Sequence, residues 1–175
     1  REAEALATAQ GLLLDRWATL PLITLAAVGG VALGGGLVFA ASNDLRMAAE
    51  GARFGLPEIT LGWPPAYGIH RLVRLIGEAR AREVILSGAP FDATEARRIG
   101  LVNRVVAADR LLEEALAWAG ELARLPEGAI KATKRVLADI VGPVRGGEPE
   151  AFARCLAADE ARSRIRSFLE QRKRR

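Results

Sequence analysis

The sequence predicts an α/β fold in which a core of strands and helices is followed by a region of helices alone. Three observations lead to this prediction. The uncharged segment 22–28 has the length and apolar composition of a buried strand. The chain then turns at two glycines and continues with the composition of a helix. From Asp109 onward the spacing of apolar residues is helical. With 175 residues, half of them apolar, the chain can form one domain with a substantial core.

Each element has its own signal in the sequence. An amphipathic helix is predicted at 2–18, and Pro21 ends the connection to the strand 22–28. A helix begins near Gly35, and a short strand follows at 45–48. The later elements are helices at 69–76, 78–87 and 93–99, a strand at 101–106, and helices at 109–124, 128–141, 149–158 and 159–172. Asp92 or Thr94 would cap the helix at 93–99, because short polar side chains accept hydrogen bonds from first-turn amides.

The order of these elements suggests two parts, a core at 1–107 and a helical region at 108–175. A break near Gly146-Gly147 is an alternative boundary. The least regular stretch is 53–68, whose glycines and prolines predict loops with set backbone angles. Loops held over a rigid scaffold often carry binding and chemistry, so we expect the functional site there.

Composition excludes several kinds of site. Cys155 is the only cysteine and His70 the only histidine, which rules out a disulfide framework and metal sites built from cysteines or histidine pairs. We predict no metal site, and one cysteine fits a reducing compartment, so we expect a cytoplasmic protein. The uncharged run 22–41 is long enough to cross a bilayer. Five of its residues are glycines, which are poor helix formers, so we predict no membrane span.

The net charge of +4 is concentrated in a basic tail, which comprises Arg172, Lys173, Arg174 and Arg175. A solvated helix end is one interpretation, because cations are favoured at helix C-termini. A phosphate-bearing ligand is a second interpretation, and nucleic acid is a third. No aromatic residues lie between these cations to stack on bases, so we do not expect nucleic acid as a partner.

Gly34, Gly35 and Gly36 follow a buried strand and open a helix. Glycine lets a ligand approach the backbone, and the first N–H groups of a helix have no partner within it. These amides can therefore donate hydrogen bonds to an anion or to a polarised carbonyl oxygen. The spacing fits neither the dinucleotide-binding fingerprint nor the phosphate-binding loop. Close packing of helix on strand would also explain the glycines.

Glu58 follows Pro57 and stands among apolar residues. Burial there would raise the pKa of its carboxyl group toward values useful for acid/base catalysis. A surface or helix-capping glutamate would show the same local sequence.

Together these segments resemble the crotonase (enoyl-CoA hydratase/isomerase) superfamily. The resemblance is carried in order by Val28 to Gly36, Asp44-Leu45-Arg46, Phe54-Gly55-x-Pro57-Glu58-x-x-Leu61-Gly62, Arg71-Leu72, Ile76-Gly77, Leu86-Ser87-Gly88, Ala96-x-x-x-Gly100-Leu101-Val102 and Phe168 to Lys173. It runs from about residue 10 to the end and lacks the N-terminal third of the family. The fold it implies is the crotonase-like strand–helix spiral core with a helical C-terminal region.

The resemblance also implies a chemistry. In this family two backbone N–H groups hold the thioester oxygen of an acyl-CoA and stabilise an enolate. Gly35 matches the second of these donors, and Glu58 matches the second glutamate of the two-glutamate hydratases. The resemblance further implies substrate contacts at Leu33, Gly34, Val38, Trp63, Pro65 and Tyr67. Trp63 and Tyr67 either shape the acyl pocket or are core or subunit contacts. No cofactor is implied beyond the coenzyme A thioester, which is the substrate.

Two departures from the family pattern decide the predicted function. Val38 stands where the hydratases carry their first glutamate, and valine cannot transfer a proton or orient water. The region that supplies the first oxyanion donor and much of the adenine site has no counterpart, so the chain is either a fragment or a degenerate homologue. We predict an enoyl-CoA isomerase with Glu58 as its single acid/base.

The alternatives are an enoyl-CoA hydratase, an acyl-CoA decarboxylase or lyase, and a non-catalytic CoA- or RNA-binding homologue. The resemblance implies a homotrimer or hexamer assembled through 108–175, and it gives the basic tail a role at CoA phosphates. The acyl chain and the pathway do not follow from the sequence.

Overall fold

The computed structural model describes residues 1–141 and 148–173. The predicted break at Gly146-Gly147 lies outside the described residues, as do the side chains of the basic tail.

Helices and short strands alternate through the first two thirds of the chain, and helices follow. In order they are α1 (Glu2–Ala18), β1 (Leu25–Val28), β2 (Val31–Leu33), α2 (Gly35–Ala41), β3 (Leu45–Ala49), β4 (Arg53–Gly55), a 3-10 helix (Pro57–Leu61), α3 (Ile69–Ser87), β5 (Phe91–Asp92), α4 (Ala93–Arg98), β6 (Arg104–Val106), a second 3-10 helix (Ala108–Arg110), α5 (Leu111–Ala123), α6 (Glu127–Val141), α7 (Glu148–Leu156) and α8 (Asp159–Lys173). The predicted α/β class is confirmed.

The strands form two small sheets. The first has the order β1-β3-β6 with all strands parallel, and Leu25 pairs with Leu45 in its register. The second has the order β2-β4-β5, in which β2 and β4 are parallel and β5 is antiparallel. Parallel neighbours bring the ends of β2 and β4 to the same edge of the second sheet. The Gly34 N–H donates to the Gly55 carbonyl oxygen there, at 2.9 Å.

The strands were predicted least well. The strand expected at 22–28 begins only at Leu25, and the one expected at 101–106 covers only Arg104–Val106. Three strands were not predicted, and β4 lies inside the stretch interpreted as loop. Each of these three has two or three residues, too few to show alternation, and each depends on a distant partner. The uncharged run 22–41 is divided among β1, β2 and α2.

The predicted helices are present with small shifts at their ends. Asp92 caps α4 as expected, since its Oδ1 accepts from the Glu95 N–H at 2.8 Å. The two helices expected on either side of Gly77 form one element that bends there, because Gly77 has φ 77° and ψ 159°. Among the described residues, none of the helices is long and apolar enough to span a membrane.

One main core lies under the site-bearing loops. Its fully buried side chains include Phe54, Leu37, Leu56, Leu72 and Leu101. Arg46 is also buried, with 4% exposure, and its guanidinium donates to the carbonyl oxygens of Leu101 and Asn43. This side chain joins β3 to the turn before β6.

The helical region packs closely on the strands and loops. Leu111 and Ala115 of α5 share a buried cluster with Met47 and Ala49 of β3. Farther along, α8 approaches the turn after the first 3-10 helix, where a Cβ on Gly62 would lie 3.2 Å from the Ala161 Cα. The division at 107/108 remains a prediction.

Candidate active site

The site lies at the N-terminus of α2, where β2 ends. Gly34 precedes the helix with φ 56° and ψ −126°, a conformation that only glycine adopts readily. This turn lets the first residues of α2, beginning with Gly35, present their amides at the end of the helix. First-turn N–H groups have no acceptor within the helix and carry its partial positive charge. The Gly35 amide is therefore available to a ligand, and its role as an oxyanion donor remains a prediction.

Glu58 reaches this helix end from the first 3-10 helix, which starts at Pro57. The closeness of the two segments is seen at Gly34, because a Cβ placed there would lie 2.8 Å from the Glu58 Oε1. Glycine at position 34 thus leaves the space that the carboxylate occupies. The structure brings together two residues that are 24 positions apart in the sequence.

The environment of Glu58 favours its neutral form. Burial raises the pKa of the carboxyl group, and a hydrogen bond from its own backbone amide opposes that shift in part. Its Oε2 is buried and has no hydrogen-bond partner among the described residues. A carboxyl group with a raised pKa and an unoccupied lone pair is suited to accept and return a proton.

Tyr67 brings a second polar group to the same helix end. Its hydroxyl oxygen lies 2.7 Å from the position of a Cβ on Gly35. Burial, and then the negative charge of Glu58, raise the pKa of this hydroxyl. Tyr67 therefore remains protonated at neutral pH and can donate a hydrogen bond.

Val38 lies in the first turn of α2, three residues after Gly35. Its side chain is 3% exposed and belongs to the main core. It packs directly on the backbone of Gly68, where a Cβ would lie 2.2 Å from the Val38 Cγ1. Gly68 has φ 80°, so both its conformation and its neighbour require glycine. Val38 offers no atom that transfers a proton.

The other predicted contacts are less central. The Trp63 ring stands edge-on against Phe152 of α7, with centroids 6.4 Å apart. Pro65 is buried, and Leu33 is 37% exposed at the end of β2. The expected contacts of these three residues with substrate remain predictions, as do those of Gly34, Val38 and Tyr67.

His70 belongs to a different cluster. Its Nε2 lies 4.0 Å from the Asp15 Oδ1, and its buried Nδ1 has no partner among the described residues. Burial and the nearby Arg71 lower the pKa of the imidazole. Beside it, Glu148 of α7 accepts a hydrogen bond from the Ile69 N–H at 3.0 Å and so caps α3. No local sequence pattern indicates this cap, because its two residues are 79 positions apart.

Within the part of the chain that the structure describes, there is no group of three or more histidine, cysteine, aspartate or glutamate side chains placed to hold a metal ion. The polar groups that the structure does assemble at the start of α2 are backbone amides, one carboxyl group and one phenol.

Comparison with known proteins places the chain in a family. The sequence profile described as "Enoyl-CoA hydratase/isomerase" matches residues 2–175. A "Probable enoyl-CoA hydratase" of Rhizobium meliloti (strain 1021) is 44% identical over 154 residues, which cover 85% of this chain and 60% of that protein. The chain spans about 60% of the length of the curated relatives it matches.

Solved structures give the same result. An enoyl-CoA hydratase/isomerase from Pseudoalteromonas atlantica T6c superposes with a TM-score of 0.82 at 30% identity, covering 90% of this chain and 66% of that one. A monofunctional enoyl CoA isomerase from M. smegmatis superposes with a TM-score of 0.64 at 36% identity, covering 79% of this chain and 65% of that one. The fold is the crotonase fold, as predicted. The chain belongs to the enoyl-CoA hydratase/isomerase family.

Proposed function

We propose that the protein isomerises an enoyl-CoA and that Glu58 is its single acid/base. One observation carries the proposal. The Glu58 carboxylate faces the N-terminus of α2, whereas the position at which two-glutamate members carry their other carboxylate is the buried Val38. A single base at an oxyanion site can move a proton between two carbons without activating water.

The proposed reaction starts from a 3-enoyl-CoA. The thioester oxygen accepts a hydrogen bond from the Gly35 N–H, and ionised Glu58 removes a proton from C2. The electron pair of that C–H bond moves toward the thioester oxygen, which gives a dienolate. Glu58, now protonated, returns the proton to C4, and the double bond forms between C2 and C3. Atoms and charge balance, and the product is conjugated with the thioester.

The surroundings of Glu58 suit both halves of this cycle. Its raised pKa makes the carboxylate a stronger base than an exposed glutamate and keeps the carboxyl group a competent acid in the second step. The apolar wall at Val38 keeps water from the dienolate. Each oxyanion donor in such sites typically contributes about 3–4 kcal/mol to the transition state.

Hydration of a 2-enoyl-CoA is the second candidate, and the hydratase name of the Rhizobium meliloti relative supports it. Hydration needs a group that orients water. Because position 38 is a valine, a hydratase would need a polar residue elsewhere in the protein to orient the water molecule. The products separate the two candidates, because hydration removes the conjugated double bond and isomerisation creates it.

We also propose that the protein needs no metal or organic cofactor and works as a cytoplasmic homotrimer or hexamer. Apolar side chains exposed on α5 and α6 support self-association: Leu112, Leu116, Val136 and Leu137 are each more than half exposed. Sedimentation equilibrium of the protein gives the number of subunits, and a monomer at micromolar concentration would reject this part of the proposal.

The test uses the protein as its gene encodes it, with any residues that flank this sequence. A 3-enoyl-CoA is added, and the ultraviolet absorbance of the conjugated product is followed. Glu58→Gln removes the base with little change in shape, and Glu50→Gln is the matched control because Glu50 is exposed. The proposal expects a rise in absorbance with the wild type and the control, but not with Glu58→Gln. A rise that is equal in all three proteins would reject Glu58 as the base.

A further inference from the structure

The side chain of Tyr67 is held in place from two sides. Gly11 of α1 lies beside the tyrosine, because a Cβ on Gly11 would make van der Waals contact with the Tyr67 Cβ at 3.4 Å. The ring packs against the main core. On its C-terminal side, Gly68 precedes α3 with a positive φ and packs against Val38. These contacts fix the ring, and with it the direction of the hydroxyl group.

The hydroxyl lies at the end of α2 toward which the amides point. Cα–Cβ bonds of a helix tilt toward its N-terminus, and first-turn N–H groups point the same way. A Cβ on Gly35 would lie 2.7 Å from the Tyr67 hydroxyl oxygen, so this oxygen stands beside the Gly35 amide at the helix end. An oxygen atom that accepts from that amide would be within reach of the phenol.

The hydroxyl of Tyr67 is accessible to a ligand. The residue is partly buried, and its hydroxyl is not among the fully buried polar atoms that lack a partner. Among residues 1–141 and 148–173, no hydrogen bond engages the Tyr67 hydroxyl. The group is left facing the site, with the negative charge of Glu58 nearby.

We propose that Tyr67 is a further catalytic residue, whose hydroxyl donates a hydrogen bond to the thioester oxygen of the acyl-CoA beside the Gly35 N–H. This inference rests on the proposed function, because it assigns a ligand to the same oxyanion site. The donor strengthens as negative charge moves onto the oxygen, so it stabilises the dienolate more than the bound substrate.

The direct test is the infrared band of the thioester carbonyl. Butyryl-CoA labelled with carbon-13 at the carbonyl carbon is bound to the full protein, and its band is compared with that in water. Donated hydrogen bonds move the band to lower frequency. Tyr67→Phe keeps the ring that packs against the main core and removes only the hydroxyl. The proposal expects a smaller downshift in Tyr67→Phe, together with a roughly 10²-fold lower kcat for the 3-enoyl-CoA and little change in KM.

A second measurement does not depend on the folding of a variant. Tyr67 is the only tyrosine in this sequence. Replacing tyrosine with 3-fluorotyrosine therefore makes a single phenol in this sequence, at position 67, a stronger hydrogen-bond donor. The proposal expects a larger downshift of the carbonyl band. The fluorine resonance of residue 67 should also move when butyryl-CoA binds.

Two results would overturn the inference. One is a carbonyl band that is the same in wild type, Tyr67→Phe and the fluorotyrosine protein. The other is a lowered kcat with an unchanged band and a shifted pH profile, which would mean that Tyr67 acts only through Glu58. The infrared measurement needs binding of butyryl-CoA but no turnover. An unchanged carbonyl band would therefore reject the role of Tyr67, whereas a negative absorbance assay would reject the isomerase activity.

Discussion

Glu58 and Gly34 are complementary: the carboxylate of one occupies the space that a side chain on the other would fill, with Oε1 2.8 Å from the position of that Cβ. The same glycine turns the chain into α2 with a positive φ. Gly34 therefore both sets the direction of the proposed oxyanion amides and leaves room for the proposed base.

Gly34→Ala should lower both activity and stability. The added methyl group meets the far end of a flexible side chain, so Glu58 can move aside at small cost in folding free energy. A displacement of about 1 Å in a catalytic group can lower the rate about 10²-fold. The positive φ adds roughly 1–3 kcal/mol of strain. Both kcat and the free energy of unfolding are to be measured.

Gly120→Ala in α5 is the matched control for this change, because a Cβ at the exposed Gly120 meets no atom within 4 Å. It should keep full activity and gain a little helix stability. If Gly34→Ala retained wild-type kcat, Glu58 would not need its observed position.

Gly68→Ala should destabilise the fold strongly. Its Cβ would lie 2.2 Å from the Val38 Cγ1, in the rigid core, and its φ of 80° disfavours any side chain. Overpacking and backbone strain together predict a loss of about 2–5 kcal/mol in the free energy of unfolding.

The clash can be tested by a double-mutant cycle. Val38→Ala removes the methyl groups that the new side chain meets. The double variant should therefore be more stable than the sum of the two single changes, by about 1 kcal/mol or more. Strict additivity in urea denaturation would show that the contact between the two residues is not the cause.

The raised pKa of Glu58 predicts opposite pH effects on activity and stability. The proposed reaction needs ionised Glu58, so kcat/KM should fall as pH falls through a midpoint above that of an ordinary glutamate. Folding favours the protonated form of a group whose pKa is raised by burial. The stability that the protonated form contributes is therefore present at low pH. It is lost as the pH rises from the ordinary pKa of a glutamate through the raised pKa of Glu58.

Glu58→Gln removes that titration and serves as the control. It should be inactive yet more stable than the wild type at neutral pH, with the difference disappearing in acid. Thermal unfolding at several pH values measures this. A lower melting temperature for Glu58→Gln throughout the pH range would contradict the account of a desolvated carboxylate.

Replacing Arg46 should lower the free energy of unfolding through the loss of buried hydrogen bonds. Its guanidinium satisfies the buried carbonyl oxygens of Leu101 and Asn43, and each would cost about 1–3 kcal/mol if left without a donor. Arg46→Met fills similar space without donors and should lower the free energy of unfolding by at least about 2 kcal/mol. The exposed Arg53, changed to methionine, is the control. Equal stability of the two variants would mean that water replaces the lost donors.

The sequence indicated candidate residues for the site but not their contacts. Gly35 and Glu58 were identified from local patterns and from the family resemblance. The contacts of Glu58 with Gly34, of Tyr67 with Gly35 and of Val38 with Gly68 are all long-range, and no residue spacing encodes them. The same limit applied to the fold. Long helices were predicted from their own periodicity, whereas β2, β4 and β5 exist only through pairing with one another.

The most direct test of the central claim follows one proton. A 3-enoyl-CoA carrying deuterium at C2 is converted in ordinary water, and the product is examined by mass spectrometry and NMR. If Glu58 moves the proton within an apolar pocket, part of the deuterium should appear at C4, and Glu58→Gln should form no product. A product with no deuterium at C4, or one formed equally well by Glu58→Gln, would contradict the account.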